Sequence, residues 1–257
     1  MLPIDLAGRV VLVTGGTRGV GRGVSEAFLD AGATVVTCSR SDVADGDLPA
    51  TDAGRVTDHH ACDVRDPEAV TALVDAIVAH QGRLDVLVNN AGGSPYALAA
   101  DASPRFHSRI VELNLLAPLL LMQAAHRAMA RGGVIVNVSS VSGLRPSPGT
   151  AAYGAAKAGL DSLTQSLAVE WAPLVRVNAL DVGPVLTEQS ALHYGDEAGV
   201  AAVARTVPMG RLAEPRDVGN AAVWLASDLA THVTGARIEL HGGGERPAFL
   251  DAATTNN

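Results

Sequence analysis

Seven short runs of β-branched and aliphatic residues punctuate the chain, and most of them carry no apolar–polar alternation. They are RVVLVT (9–14), ATVVTC (33–38), VTDHHACD (56–63), LDVLVNN (84–90), GVIVNVSS (133–140), VRVNALD (175–181) and ARIELH (236–241). A strand that is apolar on both sides has to be covered on both faces, which suits parallel sheets and disfavours an antiparallel sheet with one wet face. Longer Ala/Leu-rich runs separate the strands, and their spacing predicts helices at 20–31, 67–80, 104–130, 150–172 and 215–227. The second starts at Asp66-Pro67, an N-cap residue followed by a proline at the first helical position. Alternation of this kind builds an α/β fold, a doubly wound parallel sheet of about seven strands with helices on both faces.

Composition narrows the class. The 257 residues are 47% hydrophobic and 18% charged, which suits one large domain over 1–257. Only 3% are aromatic, so Val, Leu, Ile and Ala must build the core. The net charge of -8 argues against nucleic acid or an anionic membrane surface as the main partner. Cys38 and Cys62 each end an apolar run, the pattern of a reduced, cytoplasmic protein and not of a disulfide scaffold. The first residues lack the layout of a signal peptide. The longest apolar stretch, LLAPLLLM at 115–122, is broken by Pro118 and falls far short of the roughly 20 residues a bilayer requires. No linker or repeat divides the chain. The least regular stretch, 183–199, is a candidate lid within a substrate segment of about 183–212, and the tail from about 245 to 257 reads as loosely held or used in a subunit contact.

The loop after the first strand, VLVTGGTRGVGRG, places Gly15, Gly19 and Gly21 in a G-x-x-x-G-x-G spacing at the start of a helix. With Thr17, Arg18 and Val20 between them, these glycines let backbone N–H groups approach a pyrophosphate at the helix N-terminus. An NAD-binding unit carries Asp or Glu at the end of its second strand. Here that position holds Ser39 and Arg40, which leave room and positive charge for a 2′-phosphate, and Arg18 could converge on the same anion. NADP(H) is therefore favoured, with NAD(H) the alternative. Further along, Tyr153 and Lys157 stand four residues apart in a helical run. On one helix face the ammonium group could lower the phenol pKa from its usual value of about 10.

In order, the chain presents Thr14 to Gly21, CDV at 62–64, NNAG at 89–92, Asn114, NVSS at 137–140, Tyr153-x-x-x-Lys157 and GPVLT at 183–187. This set resembles the short-chain dehydrogenase/reductase family over about residues 5 to 244. The resemblance implies a Rossmann-like fold and an oxidoreductase interconverting a ketone and a secondary alcohol. In that pattern Ser140 is the catalytic serine, with Ser139 the less favoured neighbour. Tyr153 is the general acid in reduction and the general base in oxidation. Lys157 holds the nicotinamide ribose and depresses the tyrosine pKa, and Asn114 supports a water bound to Lys157. Asp63, with Val64 beside it, would contact the adenine edge. Asn89 would bracket the adenosine ribose, with Asn90, Ala91 and Gly92 completing that wall. Gly183, Val185 and Thr187 would lie along the nicotinamide, Thr187 holding its carboxamide. The SPGTAAY motif and the general layout are similar to 3-oxoacyl-acyl-carrier-protein reductases, while an NAD-dependent alcohol or steroid-type dehydrogenase and a non-catalytic nucleotide-binding regulator are the alternatives. The family also implies a homotetramer or homodimer, in which the 104–130 and 150–172 helices would supply an interface if their apolar faces are not core.

The chain departs from the family twice. Val182-Gly183 replaces the usual Pro-Gly and is preceded by Asp181, whose carboxylate would either face the nicotinamide pocket or bond nearby backbone N–H groups. His241 stands where Asp is common, which points to packing or assembly. His59, His60, Cys38 and Cys62 do not read as a metal site, because adjacent strand residues point to opposite faces. His193 and Tyr194 fall in the candidate lid, where they could touch substrate or simply face solvent.

Overall fold

The computed structural model describes residues 4–248 and 250. Its strands are β1 (Val10–Thr14), β2 (Thr34–Ser39), β3 (Asp58–Ala61), β4 (Val86–Asn89), β5 (Gly133–Ser140), β6 (Val175–Val182) and β7 (Arg237–Leu240). They form one seven-stranded sheet in the order β3-β2-β1-β4-β5-β6-β7, with every neighbouring pair parallel. The doubly wound sheet expected from the unalternating strands is the fold.

The helices are α1 (Gly19–Asp30), α2 (Pro67–Gln81), α3 (Pro104–Val111), α4 (Ala117–Ala128), α5 (Ala151–Trp171), α6 (Ser190–Tyr194), α7 (Glu197–Thr206) and α8 (Pro215–Ala226). Two apolar layers enclose the sheet. On one face Val24, Phe28 and Leu29 of α1 and Val218 and Leu225 of α8 pack on Val11, Val13, Val86 and Val136. On the other, Val74 and Ile77 of α2, Leu121 and Met122 of α4 and Leu160 of α5 pack on Leu12, Leu87 and Ile135. Successive residues of β1 thus serve opposite layers, as the pleat requires.

Capping follows the sequence at α2: the Asp66 carboxylate accepts from Glu68 N at 2.9 Å and Ala69 N at 3.3 Å, and Gly82 closes the helix with φ 77°. The predicted 104–130 helix is not continuous. Residues Glu112–Leu116 form a π segment between α3 and α4. Pro118 explains the break, since it has no N–H for the carbonyl of Asn114 four residues earlier, and an α-helical ladder cannot run through it unchanged. The substrate segment of about 183–212 also proves more regular than its sequence suggests: α6 lies within the candidate lid, and α7 starts at its end and runs beyond it. No helix among the described residues is long and apolar enough to cross a membrane.

Candidate active site

β1 sends the chain outward to β2 on one side, while β4 and β5 continue on the other, so the carboxyl ends of β1 and β4 flank the point where strand order reverses. Open parallel sheets form their ligand crevice there. A cavity of about 700 Å³ lies at this edge, lined by loops following β1, β2, β3, β4, β5 and β6. Thr14 ties the flanking strands together: its hydroxyl accepts from the N–H groups of Asn90 and Ala91, both at 3.0 Å.

The glycine loop folds as its spacing implies. Gly15 and Gly19 adopt φ values of 62° and 52°. A Cβ on Gly21 would lie 2.1 Å from the carbonyl oxygen of Gly15, so only glycine lets the helix start this close to the loop. Arg18 is the N-cap of α1 and caps it with no side-chain bond, leaving the first N–H groups to the cavity. One is already engaged by an anion: the Glu188 carboxylate accepts from Gly19 N at 2.9 Å. A carboxylate oxygen thus stands where a phosphate oxygen would bind, and Gly15, Thr17, Arg18, Gly19, Val20 and Gly21 all line the cavity around it. The residues present fit a dinucleotide.

Past the loop, Ser39, Arg40, Asp63 and Val64 line the same cavity. Arg65 grips Asp63 through two bonds, 2.9 and 2.6 Å, and holds its carboxyl down to about 2. The Ser39 hydroxyl donates to Ser41 O at 2.7 Å, and His59 Nε2 sits 3.3 Å from that hydroxyl and 3.2 Å from Ser41 O. His59 therefore braces the turn that carries Arg40. His60, its neighbour in β3, instead pairs with Asp58. Cys38 is buried and its thiol is pushed up to about 12 by desolvation, which removes it from thiolate chemistry at ordinary pH.

Ser140, Tyr153 and Lys157 meet at the opposite end of the cavity. β5 ends at Ser140, whose side chain hydrogen-bonds with the Tyr153 phenol. Ser139 turns elsewhere, donating to Lys157 O at 3.3 Å. Lys157 is one turn along α5 from Tyr153, its Nζ 5.6 Å from the centre of the tyrosine ring and donating to Val138 O at 2.7 Å. Burial lowers its pKa from 10.5 to about 8. Tyr153 does not show the lowered pKa expected of it: burial raises the phenol, opposed by the Ser140 hydrogen bond. The reason is that Lys157 is itself desolvated, so the environment that tunes the pair penalises both charged forms at once.

Gly183, Val185 and Thr187 form the wall after β6, and Asn90, Ala91 and Gly92 the wall after β4. Asn90 Nδ2 donates to Thr14 O at 2.9 Å and Gly15 O at 3.2 Å, locking that wall to the glycine loop. Asn89 does not reach the cavity. It is buried, and its Nδ2 donates to Asn137 Oδ1 at 2.8 Å, because alternate residues of a strand face opposite layers. Asn114 is also fully buried: its Oδ1 accepts from Gly93 N at 2.9 Å and its Nδ2 donates to Gly93 O and Ile110 O. The side chain thereby clamps the turn after β4 and leaves no donor free for a water. Asp181 takes neither expected position. It is wholly buried beside Asp161 and Arg237, outside the cavity lining, and one of its oxygens has no hydrogen-bond partner.

Tyr194 is raised by burial near Glu245 and Arg145, and these two form an ion pair that ties the start of the tail to the turn after Ser140. Residues 251–257 of the expected loose tail lie outside the described residues. His241 Nε2 pairs with Glu239 at 2.6 Å. The sequence reading named Thr14 only as the start of the glycine motif, weighed His59 only as a metal ligand, and missed Arg65, Glu188 and Asp161; Arg65, two residues after Asp63, and Glu188, next to Thr187, had a usable signal in their spacing.

Known proteins place this site in context. A family model described as Enoyl-(Acyl carrier protein) reductase matches residues 15–245. The chain is 36% identical to 3beta-hydroxysteroid dehydrogenase 1 of Eggerthella lenta, over 93% of this chain and 94% of that protein. It is equally, 36%, identical to a 3-oxoacyl-[acyl-carrier-protein] reductase of Vibrio cholerae, over 93% and 98%. The structure of Thermoplasma acidophilum aldohexose dehydrogenase superposes with a TM-score of 0.85 at 32% identity, covering 98% of this chain and 97% of that one. On the fold, the ordered motifs and these likenesses, the chain belongs to the short-chain dehydrogenase/reductase family of oxidoreductases, enzymes that use a nicotinamide cofactor on CH–OH groups.

Proposed function

We infer that this protein is an NADP(H)-dependent dehydrogenase/reductase that interconverts a ketone and a secondary alcohol. The observation that carries the reading is one continuous cavity lined by the phosphate loop with Arg18 after β1, by Arg40 after β2 on one side of it, and by Ser140, Tyr153 and Lys157 of β5 and α5 on the other. When bound, the nicotinamide supplies or accepts the hydride. The hydroxyls of Ser140 and Tyr153 donate to the carbonyl oxygen of a ketone and stabilise the charge that gathers there. Tyr153 then gives its phenolic proton to that oxygen; a phenol held up by burial stays protonated and suits the reductive direction. Lys157 orients the ribose and balances the developing phenolate. Since the Asn114 side chain is committed to Gly93 and Ile110, its role in a water relay falls to its backbone carbonyl, which Pro118 deprives of the usual helical partner.

A 3-oxoacyl thioester is the first substrate to try, and an oxosteroid the second, since the corresponding relatives are equally similar. Assembly into a homotetramer or homodimer belongs to the same reading and is supported by the exposed apolar residues Leu116, in the π segment, and Val169, on α5. The test is turnover of a ketone panel with NADPH and with NADH, in wild type and Tyr153→Phe. Turnover should fall by about 10² to 10⁴-fold in the variant while NADPH still binds. Turnover within tenfold of wild type would refute the assignment of Tyr153.

A further inference from the structure

Behind Lys157 lies a buried acidic cluster that the reaction as described does not use. Asp161 is one turn further along α5, and Asp181 is on β6 in register with Ser139. Their side chains are 4% and 0% exposed. Three of their four oxygens, both of Asp161 and Oδ1 of Asp181, make no hydrogen bond of ordinary geometry, and the groups near enough to act on the Asp161 carboxyl by hydrogen bonding are the Ser139 hydroxyl and Asp181 itself. One guanidinium serves both: Arg237 Nε is 3.4 Å from Asp181 Oδ2 and 3.9 Å from Asp161 Oδ2. Two buried carboxylates with a single nearby guanidinium cannot both be ionised without a second cation, and Lys157 is the only other cation buried on this side among the described residues. The remaining groups facing the cluster are the Ser139 hydroxyl from β5 and, in register with Asp181 on β7, Glu239, which is turned to a hydrogen bond with His241.

We propose that Asp161 and Asp181 form a proton-sharing pair that acts as the buried counter-charge of Lys157, making both of them positioning residues of the hydride-transfer site. With one proton between them, the orphaned oxygens satisfy each other, as in other closely spaced carboxylate pairs. When that proton leaves, two carboxylates face two cations and the cluster is neutral, which keeps the Lys157 ammonium charged inside the protein. At the pH where Lys157 titrates the shared proton has already left, so each single substitution removes one of two counter-charges and the double substitution removes both, and the disturbance of Lys157 grows from the single variants to the double. The step to catalysis rests on the role of Lys157 given above; the charge coupling itself does not.

The electrostatics agree with the geometry. Asp161 is raised to about 6, by burial first and with Asp181 contributing, and both carboxylates oppose the fall of Lys157. A carboxylate raised from 3.8 to about 6 on folding makes stability fall as pH rises through that interval. The experiment is urea unfolding of the cofactor-free protein across pH, for wild type, Asp161→Asn, Asp181→Asn and the double variant, followed by the pH profile of turnover. Asparagine keeps the volume and offers amide donors to the orphaned oxygens. Each single variant should lose the wild-type decline in urea midpoint between pH 4 and 6. In the double variant the Lys157-dependent rise in midpoint should begin at least one pH unit lower than in wild type, and the alkaline limb of turnover should move with it. A decline between pH 4 and 6 that survives in both single variants overturns the proposal even if the double variant does not fold. An unmoved Lys157 rise in a folded double variant overturns it as well. A purely structural role would lower kcat or yield without moving either limb. Failure of the Tyr153→Phe test with the stability shifts intact would refute the proposed reaction and leave the carboxylate pair standing.

Discussion

Replacing Lys157 with methionine isolates the cost of burying the ammonium group. The folded protein lowers this pKa from 10.5 to about 8, mainly by desolvation. At about 1.4 kcal/mol for each pH unit, the folded state disfavours the charged form by roughly 3 kcal/mol at neutral pH. Methionine keeps the apolar stem and removes the charge, but also removes the 2.7 Å bond to Val138 O, so the stability change at any single pH mixes two effects. Their pH dependence separates them. Between pH 8 and 10.5 an unfolded chain still holds the lysine proton that the folded protein has released, so stability rises with pH there. Wild type should therefore gain about 3 kcal/mol relative to Lys157→Met as pH is raised from 7 towards 10.5, with no gain between pH 6 and 7. Urea unfolding of both proteins, compared pH by pH, measures the difference. A flat difference would show that Lys157 titrates near its ordinary value and that the buried-cation account of this site is wrong. The variant should also lose turnover, a case of a functional group held at the expense of stability.

Three further perturbations probe the cofactor end. Arg40→Asp should weaken NADPH binding about tenfold, the scale of one charge-assisted phosphate contact, while sparing NADH; equal losses measured by fluorescence titration would show that Arg40 does not read the 2′-phosphate. Glu188→Gln should tighten binding of either nucleotide by a few-fold, because the carboxylate now bonded to Gly19 N competes for the same N–H and repels phosphate; weaker binding would mean that Glu188 helps to hold the cofactor. Gly21→Ala places a Cβ 2.1 Å from a backbone oxygen, which cannot move cheaply, so nucleotide affinity should fall at least tenfold; calorimetry showing wild-type affinity would refute the close-approach argument.

Fold class and the outline of the site were legible in sequence because both depend on local pattern. Apolar strands without alternation demand two covered faces, and glycines at a strand–helix turn demand a ligand or a close contact. The Tyr153–Lys157 spacing placed both residues on one turn of α5. Four features depended on partners distant in sequence, and these only the tertiary structure decided. Asn89 and Asn90 are equivalent in composition, but strand pleating sends the first into the core and the second to the glycine loop. Asn114 lies in a segment that reads as one helix until Pro118 interrupts it, and its side chain goes to Gly93. The tyrosine pKa was expected to follow its charged neighbour, yet burial acts on phenol and ammonium alike, and burial is a property of the packed whole. Asp161 and Asp181 look unremarkable twenty residues apart; only the packing of α5 on β6, with Arg237 arriving from β7, brings two carboxylates and one guanidinium into the same dry space.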